Sequence, residues 1–276
     1  MGQVIVITGL AQGMGRDVAC RLAAAGNSIA GFDLDAAELA ALEKELDDLG
    51  AEHYLTPLDI TDREGVLRFR DEVLKKFKRV DTVLSNVGIG FFGPFEEIDL
   101  EKALKCLEIN VIGAASIFQA FIPAMREQRS GKLIAMASLV GVIPFPFESV
   151  YTASKFAIEG MVESIKYEVE PFGLKVALIE PAQVSTDFAA KIHKLPPAGS
   201  PYRERVQRFI NRDNELIKTA TTPAQAADKI VRVVLADRPK LHNQVDFMSS
   251  FFLFLNWILP KGLRDMILLN HMDIKV

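Results

Sequence analysis

Cysteine is scarce in this sequence, which excludes a fold held together by disulfides or by a structural zinc ion. The 276 residues contain only Cys20 and Cys106, and these form no CxxC pair. A disulfide framework needs several paired cysteines, and a structural zinc site needs closely spaced Cys or His ligands. A chain of this length buries enough surface to fold without either device.

Excess charge and histidine clusters are also missing. Lys and Arg total 32 against 36 Asp and Glu, a net charge of −4, so we predict no nucleic-acid partner. We predict no metal site either, because no ligand spacing links the four histidines, which are His53, His193, His242 and His271. Residues 1–6 lack a basic region and a cleavage site, which favours a cytoplasmic protein.

Short β-rich runs alternate with helical patterns through the first two-thirds of the chain. Strands are predicted at Gln3–Thr8, Ser28–Phe32, Glu52–Leu58, Thr82–Ser85, Lys132–Ala137 and Leu174–Glu180. Helices are predicted at Gly13–Ala25, Ala36–Leu49, Asp62–Phe77, Asp99–Gln128 and Tyr151–Glu170. This alternation predicts an α/β fold, a Rossmann-like doubly wound parallel sheet with helices on both faces.

No internal repeat or linker divides the chain, so we predict a single domain over residues 1–276. Residues 182–222 break the alternation with the proline-rich loop Lys194–Pro201 and a charged helix around 202–218. Ligands bind beyond the carboxyl ends of the strands in a doubly wound fold, so we expect this insertion to be a substrate loop. Residues 240–276 form an apolar C-terminal extension.

The first predicted strand ends in a glycine-rich turn, Thr8–Gly15, that opens the first helix. Glycines allow a tight turn close to a pyrophosphate, and the helix N-terminus supplies N–H groups and a positive dipole. Asp33 ends the second strand 18 residues after Gly15, near the spacing of an acid that binds a ribose. A tight turn alone would also explain the glycines, and a helix N-cap would also explain Asp33.

The spacing G-x-x-x-G-x-G and several later motifs resemble the short-chain dehydrogenase/reductase family, in its single-domain branch. Ser138, Tyr151 and Lys155 match the family's YxxxK motif with its upstream serine, and Asn110 stands where the family places a fourth catalytic residue. The resemblance covers roughly residues 3–235 and implies an oxidoreductase with a nicotinamide cofactor. It also implies the cofactor contacts, which are Gly9, Gln12, Gly13, Met14, Gly15, Asp33, Asp59, Ile60, Asn86, Gly88, Tyr151, Lys155, Pro181, Val184 and Thr186.

Two departures from the family pattern fall in segments that contact the cofactor through the backbone. The family's Asn-Asn-Ala-Gly is Ser85-Asn86-Val87-Gly88 here, and the glycine after Pro181 is Ala182. Both changes are small, so we expect them to alter cofactor packing rather than chemistry.

Tyr151 and Lys155 stand four residues apart on a predicted helix, so their side chains share a face. A free phenol has a pKa near 10, and an ammonium about 4 Å away contributes roughly 4 kcal/mol, or about three pKa units. We therefore expect Lys155 to lower the pKa of Tyr151 toward neutrality, making it a general acid/base. Ser138 is expected to hydrogen-bond the substrate oxygen. By the resemblance, Lys155 binds the nicotinamide ribose and Asn110 holds a water in a proton relay.

The acid at position 33 favours NAD over NADP. Asp33 can accept two hydrogen bonds from ribose hydroxyls but repels a 2′-phosphate. Leu34 follows it, and Ala11 and Gln12 add no charge to the glycine turn. Arg16 is close in sequence, but we expect it to be solvated on its helix. We therefore predict NAD as the cofactor.

Apolar side chains follow two strands at the edge where the substrate pocket of this fold lies. They are Phe91, Phe92, Phe95, Val140, Val142, Ile143, Phe145 and Phe147. This composition favours a hydrophobic secondary alcohol or ketone, such as a steroid, retinoid or lipid, although these residues also suit loop anchors. An alternative function on the same fold is a non-catalytic, dinucleotide-binding regulator.

The run Phe247–Leu259 contains 13 residues, fewer than the ~17–25 needed to span a bilayer. Three interpretations are open. It forms a helix that packs on the core or covers the pocket, an interface of a homodimer or homotetramer, or an interfacial membrane helix that gives peripheral contact through residues 247–264.

Overall fold

A seven-stranded parallel sheet organises the chain in the computed structural model, which describes residues 2–185 and 194–274. The strands are β1 (Val4–Thr8), β2 (Ser28–Asp33), β3 (His53–Pro57), β4 (Thr82–Ser85), β5 (Gly131–Met136), β6 (Leu174–Ile179) and β7 (His242–Asn243). Their order across the sheet is β3-β2-β1-β4-β5-β6-β7. The prediction of a Rossmann-like doubly wound sheet is therefore confirmed.

Helices cover both faces of this sheet. They are α1 (Gly13–Ala24), α2 (Ala36–Asp48), α3 (Arg63–Phe77), α4 (Leu100–Leu107), α5 (Gly113–Gln128), α6 (Ser149–Val169), α7 (Arg203–Lys218), α8 (Pro223–Leu235), α9 (Phe247–Ile258) and α10 (Lys261–His271). The sequence periodicity placed α1 to α3 within one or two residues of these bounds. It had not assigned α8, α10 or the two-residue strand β7.

The side chains of β1 point alternately into two hydrophobic cores, one on each face of the sheet. Val4 and Val6 pack on one face of the sheet with residues of α3, α5 and α6. Ile5 and Ile7 pack on the other face with residues of α1, α2 and α8. Successive side chains of a strand point to opposite faces, so one continuous apolar run serves both cores.

The predicted helix Asp99–Gln128 is interrupted by a π-helical turn at Glu108–Ile112, between α4 and α5. Within the described residues, this stretch, Leu100–Gln128, is the one helix long and apolar enough to cross a membrane. Ile117, Phe118 and Phe121 are buried in the core on the α3 face, which accounts for the apolar composition.

A third hydrophobic cluster lies beyond the carboxyl edge of the sheet. Its buried members come from the segment after β5 and from the C-terminal third of the chain, and they are Leu139, Ile143, Phe209, Phe252, Leu268, Met272 and Ile274. The apolar extension therefore packs on the fold through one side.

A buried lysine joins β5 to the end of α8. The Nζ atom of Lys132 donates hydrogen bonds to the main-chain oxygens of Val234 and Ala236, and it lies 3.3 Å from Oε1 of Gln3. Burial lowers the pKa of Lys132. These carbonyls lack partners within α8 because they belong to its last turn.

We predict that Lys132→Met lowers the free energy of unfolding by about 2 kcal/mol, because it leaves buried carbonyls without a donor. Urea denaturation measures this loss. Lys102→Met is the matched control, since Lys102 is exposed and pairs only at the surface with Asp99. Equal losses in the two variants would contradict the capping role of Lys132.

Candidate active site

The candidate site lies in the crevice where the strand order reverses. β1 pairs with β2 on one side and with β4 on the other. Helix α1, which leads from β1 to β2, packs on one face of the sheet, and α5, which leads from β4 to β5, packs on the opposite face. The carboxyl ends of parallel strands meet at one edge, where doubly wound folds bind ligands. Gly9, Asn86, Ser138 and Pro181 follow β1, β4, β5 and β6 at this edge.

The three glycines of the first turn serve different purposes. Gly9 and Gly13 have φ angles of +68° and +56°, which side-chain-bearing residues rarely adopt. A Cβ atom on Gly15 would lie 2.3 Å from the carbonyl oxygen of Gly9, so helix and strand approach closely only with glycine there. A Cβ atom on Gly13 would meet no described atom within 4 Å. The turn therefore leaves room for a ligand to approach its backbone.

The N-terminus of α1 has the properties of an anion site. Gln12 is its N-cap but makes no side-chain capping bond, and the first turn contains no acid. Its Nε2 atom instead donates to Oδ2 of Asp35 at 3.1 Å. The unsatisfied N–H groups of the first turn suit a pyrophosphate. Met14 follows in the first turn and packs partly against the core on the α1 face.

Asp33 is held beside the glycine turn. Its Oδ2 accepts a hydrogen bond of 3.0 Å from the main-chain N–H of Ala11, and its Oδ1 accepts one of 3.2 Å from Asp35. Asp35, not Asp33, caps α2, through bonds from the N–H groups of Ala37 and Glu38. The helix-cap explanation of Asp33 is therefore excluded.

The cation beside the glycine turn, Arg16, is paired with two acids. Arg16 donates to Oε2 of Glu38 at 2.7 Å and to Oε1 of Glu45 at 2.8 Å. It also donates to the carbonyl oxygen of Ala11. The expectation of a solvated arginine is thus replaced by a paired one, because α2 places two acids beside α1.

Three further predicted cofactor contacts lie at neighbouring strand ends. Asp59 Oδ1 accepts 2.8 Å bonds from the N–H and the hydroxyl of Thr61, and the main-chain bond is the larger cause that lowers the pKa of Asp59. Ile60 is buried and lies against Gly113. Asn86 Nδ2 donates to the carbonyl oxygen of Gly9 at 2.8 Å, so it ties the end of β4 to the glycine turn.

Ser138, Tyr151 and Lys155 converge beyond the end of β5. The Ser138 side chain hydrogen-bonds that of Tyr151, and Ser138 Oγ also donates to the carbonyl oxygen of Pro181 at 3.2 Å. Lys155 Nζ donates to the carbonyl oxygen of Met136 at 2.7 Å and lies 5.6 Å from the centre of the Tyr151 ring. Two hydroxyls and one ammonium are therefore grouped at the crevice.

The pKa values of Tyr151 and Lys155 differ from those expected for the two side chains considered alone. Burial raises the pKa of Tyr151, and the charge of Glu148 adds to the rise, while the Ser138 bond opposes it. Burial also lowers the pKa of Lys155 to about 8. The expected fall in the Tyr151 pKa was wrong for this state, because desolvation outweighs the neighbouring ammonium.

Asn110 lies in the π-helical turn with its side chain fully engaged. Its Oδ1 accepts a bond of 2.8 Å from the N–H of Ile89, and its Nδ2 donates to Ile89 O at 2.9 Å and to Ser154 Oγ at 3.0 Å. A Cβ atom on Gly88 would lie 3.5 Å from both Asn110 Oδ1 and Lys155 Nζ. Asn110 therefore fixes the segment after β4 against α6, and its water-relay role stays a prediction.

The segment after β6 reaches the same edge. The N–H of Leu139 donates to Pro181 O at 2.9 Å, and Val184 forms an isolated bridge with Thr221. Thr186, a predicted cofactor contact, and His193 lie outside the described residues.

A pocket lies beyond the end of β5, against Leu139 and Val140, which follow Ser138 in the sequence. Its walls are Leu139, Val140, Phe145, Glu148, Ala182, Gln183, Phe209, Asp213, Met248, Phe252, His271 and Met272. The predicted residues Val140 and Phe145 line this pocket, whereas Phe95 is 71% exposed. Phe92 and Phe147 contact the ring of Phe209. Helix α7 belongs to the insertion predicted as a substrate loop, and α9 lines the pocket, as one of its three interpretations predicts. The wall residue of α10, His271, was missed because it belongs to no motif.

A cluster of acids lies one turn beyond Lys155 on α6. Glu159 is buried, and it faces Glu180, Glu163 and His242. His242 Nδ1 lies 2.6 Å from Glu180 Oε1. Glu159, Glu163 and His242 are grouped closely enough to ligate a cation. Burial raises the pKa of Glu159 to about 9, with Glu180 and Glu163 adding to it, so a proton offsets the crowded charge.

Comparison with known proteins gives consistent matches. The family described as short chain dehydrogenase matches residues 3–196. The 3-ketodihydrosphingosine reductase of Bacteroides thetaiotaomicron is 27% identical over 88% of this chain and 87% of its own. The estradiol 17-beta-dehydrogenase 1 of Rattus norvegicus is 30% identical over 86% and 72%. The crystal structure of a short-chain dehydrogenase from Streptomyces avermitilis is 26% identical, with a TM-score of 0.81 over 99% and 96%.

We predict that Glu159→Gln stabilises the protein increasingly as pH rises. The raised pKa means that folded Glu159 keeps a proton that the unfolded chain loses, so its contribution falls between about pH 4.5 and pH 9. Glutamine resembles the protonated acid. The free energy of unfolding of the variant should therefore gain up to about 3 kcal/mol on the wild type between pH 5.5 and pH 7.5, at about 1.4 kcal/mol per pH unit.

Denaturant titrations at several pH values measure this gain. Glu168→Gln, an exposed acid on the same helix, is the control and should show no pH-dependent difference. A constant difference between Glu159→Gln and wild type over this range would argue against a protonated Glu159.

Proposed function

Because the chain belongs to the short-chain dehydrogenase family, we propose that it transfers a hydride between NAD and a hydrophobic secondary alcohol or ketone. The protein is an oxidoreductase on a fold whose solved neighbours bind NAD or NADP. The observation that carries the proposal is the grouping of Ser138, Tyr151 and Lys155 in the crevice beside the glycine turn. Tyr151 acts as the general acid/base.

The residues at the edge fit a nicotinamide dinucleotide. The open space at Gly13 and the uncapped first turn of α1 suit its pyrophosphate, and Asp33 suits a ribose hydroxyl pair. When bound, the nicotinamide supplies or accepts the hydride. Every other step falls to the side chains of the chain itself.

The raised pKa of Tyr151 keeps its phenol protonated at neutral pH, which suits donation of a proton to a substrate carbonyl. Ser138, in contact with the same hydroxyl, is placed to orient that carbonyl oxygen. The charge of Lys155 stabilises the tyrosinate that remains after transfer.

Charge around Asp33 supports NAD over NADP. A 2′-phosphate placed beside this carboxylate meets repulsion, and Arg16 is already paired with Glu38 and Glu45. Leu34, which follows, is exposed and uncharged. NADP binding would therefore need a cation that this corner of the described structure does not offer.

The pocket supports a hydrophobic substrate. Phe145, Phe209 and Phe252 supply apolar walls, and Glu148, which also lines the pocket, is an acid whose charge acts on Tyr151. Burial raises the pKa of Glu148 to about 8, so it is largely neutral at pH 7. The names of the two relatives, a ketosphingosine reductase and an estradiol dehydrogenase, describe lipid and steroid substrates. The oligomeric state and the cytoplasmic location stay predictions.

Tyr151→Phe should lower kcat by about 10²–10⁴-fold while NADH binding changes little, because only the transferable proton is removed. Turnover of NADH is measured across a panel of steroid, retinoid and long-chain ketones, and binding by NADH fluorescence. Tyr167→Phe, exposed on the same helix, is the control. NADH binding without turnover of any panel member by the wild type would favour the non-catalytic regulator.

Asp33→Ala should reduce the preference for NADH over NADPH by about ten-fold or more, because it removes the repulsion of the 2′-phosphate. The ratio of kcat/KM for the two cofactors measures the preference. Asp47→Ala, an exposed acid on α2, should leave the ratio unchanged. An unaltered ratio in Asp33→Ala would show that selectivity lies elsewhere.

A further inference from the structure

Helix α9 has two apolar faces, and only one of them is covered. Ser249 and Phe252 are buried on its inner face, where Met248 and Phe252 line the pocket. Its outer face carries exposed apolar residues, joined by two from α10. We call this set the aromatic face, and it consists of Phe247, Phe251, Phe254, Trp257, Ile258, Leu263 and Met266.

The composition of this face is unusual for a surface in water. Trp257 is 83% exposed and Phe247 is 75% exposed, and α9 contains no charged residue. Phe247, Phe251 and Phe254 recur at the i, i+4 and i+7 spacing that forms one stripe. Contiguous exposed apolar patches of this kind mark a surface that binds a protein or a membrane.

Length decides how such a helix can meet a bilayer. α9 contains 12 residues, which at 1.5 Å per residue gives about 18 Å, well below the ~30 Å hydrocarbon core. It can therefore lie in the plane of a membrane surface but cannot cross it. Aromatic residues in the apolar stripe are typical of helices that lie at this boundary.

Charge in the C-terminal third complements an anionic surface. Residues 194–276 contain thirteen Lys and Arg against eight Asp and Glu, a net charge of +5, although the whole chain carries −4. Lys261 is exposed at the junction of α9 and α10. The basic helix α7 is tied to the end of α10, because Arg212 and Arg205 donate to the carbonyl oxygens of His271 and Ile274. Lys261 therefore lies beside the aromatic face, and the basic helix α7 packs against the end of α10, which contributes to that face.

We propose that the aromatic face binds the surface of an anionic phospholipid membrane, with its rings at the boundary of headgroups and acyl chains. A symmetric contact with a second copy would bring two positively charged C-terminal thirds together, whereas anionic headgroups neutralise them. Because the same helix walls the pocket, a lipid-dissolved substrate would enter across one helix, a corollary that rests on the proposed function. The membrane contact itself does not.

The only tryptophan in the chain lies in this face, so the unmodified protein carries its own probe. Vesicles of phosphatidylcholine with phosphatidylglycerol should shift Trp257 emission to shorter wavelength, and lipids with a nitroxide label near the headgroup should quench it. Added salt should weaken binding, and pure phosphatidylcholine vesicles should bind less protein, because the electrostatic part is then lost.

A double variant tests the residues. Phe254→Ser with Trp257→Ser should reduce co-sedimentation with the anionic vesicles by about ten-fold or more, because two membrane-facing rings are lost. Leu100→Ser with Leu104→Ser on α4 is the matched control, with two equally exposed apolar residues on another face, and should bind like the wild type. Thermal unfolding of both variants confirms that they fold.

Three outcomes would overturn the proposal. The first is an emission shift that depends on protein concentration without vesicles, together with a dimer mass by sedimentation, which would assign the face to a second copy. The second is equal co-sedimentation of the two double variants. The third is Trp257 emission that stays unchanged with anionic vesicles. None of these readouts depends on turnover, so failure of the membrane proposal and failure of the proposed function are separable.

Discussion

The parallel arrangement of strand ends is the constraint on which the rest of the site depends. Each important side chain at the edge is held by a main-chain group from a neighbouring segment. Asp33 accepts from Ala11, Ser138 donates to Pro181, and Lys155 donates to Met136. Because the strands run in one direction, these segments leave the sheet side by side, and a single crevice collects groups from all of them. Main-chain groups therefore hold the functional side chains in place, and these side chains lie close to one another at the strand ends.

Desolvation sets the protonation of this crevice more strongly than any single ion pair. The pKa of Tyr151 rises, that of Lys155 falls to about 8, and those of Glu148 and Glu159 rise to about 8 and about 9. All four shifts favour the neutral form, which is the expected direction for burial. The consequence is a site that holds its protons until a ligand changes the local charge. Lys155, Glu148 and Glu159 have pKa values close enough to neutral pH to change protonation there, whereas Tyr151 stays protonated in this state.

The sequence was informative where function depends on local pattern. Strand β1 and the glycine turn before α1 can be predicted, because an apolar run followed by glycines has few other local structures. Tyr151 and Lys155 can be placed on one face because residues four apart in a helix lie on the same side. The pKa of Tyr151 could not be predicted from that pair, since burial is a property of the whole fold. The insertion that contains α7 and the run that contains α9 could be associated with the substrate pocket, but their individual wall residues and those of α10 could not be predicted, because they meet Phe145 only through tertiary packing. The paired state of Arg16 has the same origin, in the placement of α2 beside α1.

The π-helical turn at Glu108–Ile112 has a geometric meaning for the long helical segment around it. Such a turn holds one residue more than regular helix, so it offsets the faces on either side by about 100°. Before it, Ala103 and Cys106 pack in a small cluster with Val150 of α6, and after it, Ile117 and Phe121 pack on the sheet. The extra residue thus allows α4 to pack against α6 and α5 to pack against the sheet, although the two helices are continuous. Asn110 lies within the turn that changes the direction of the faces.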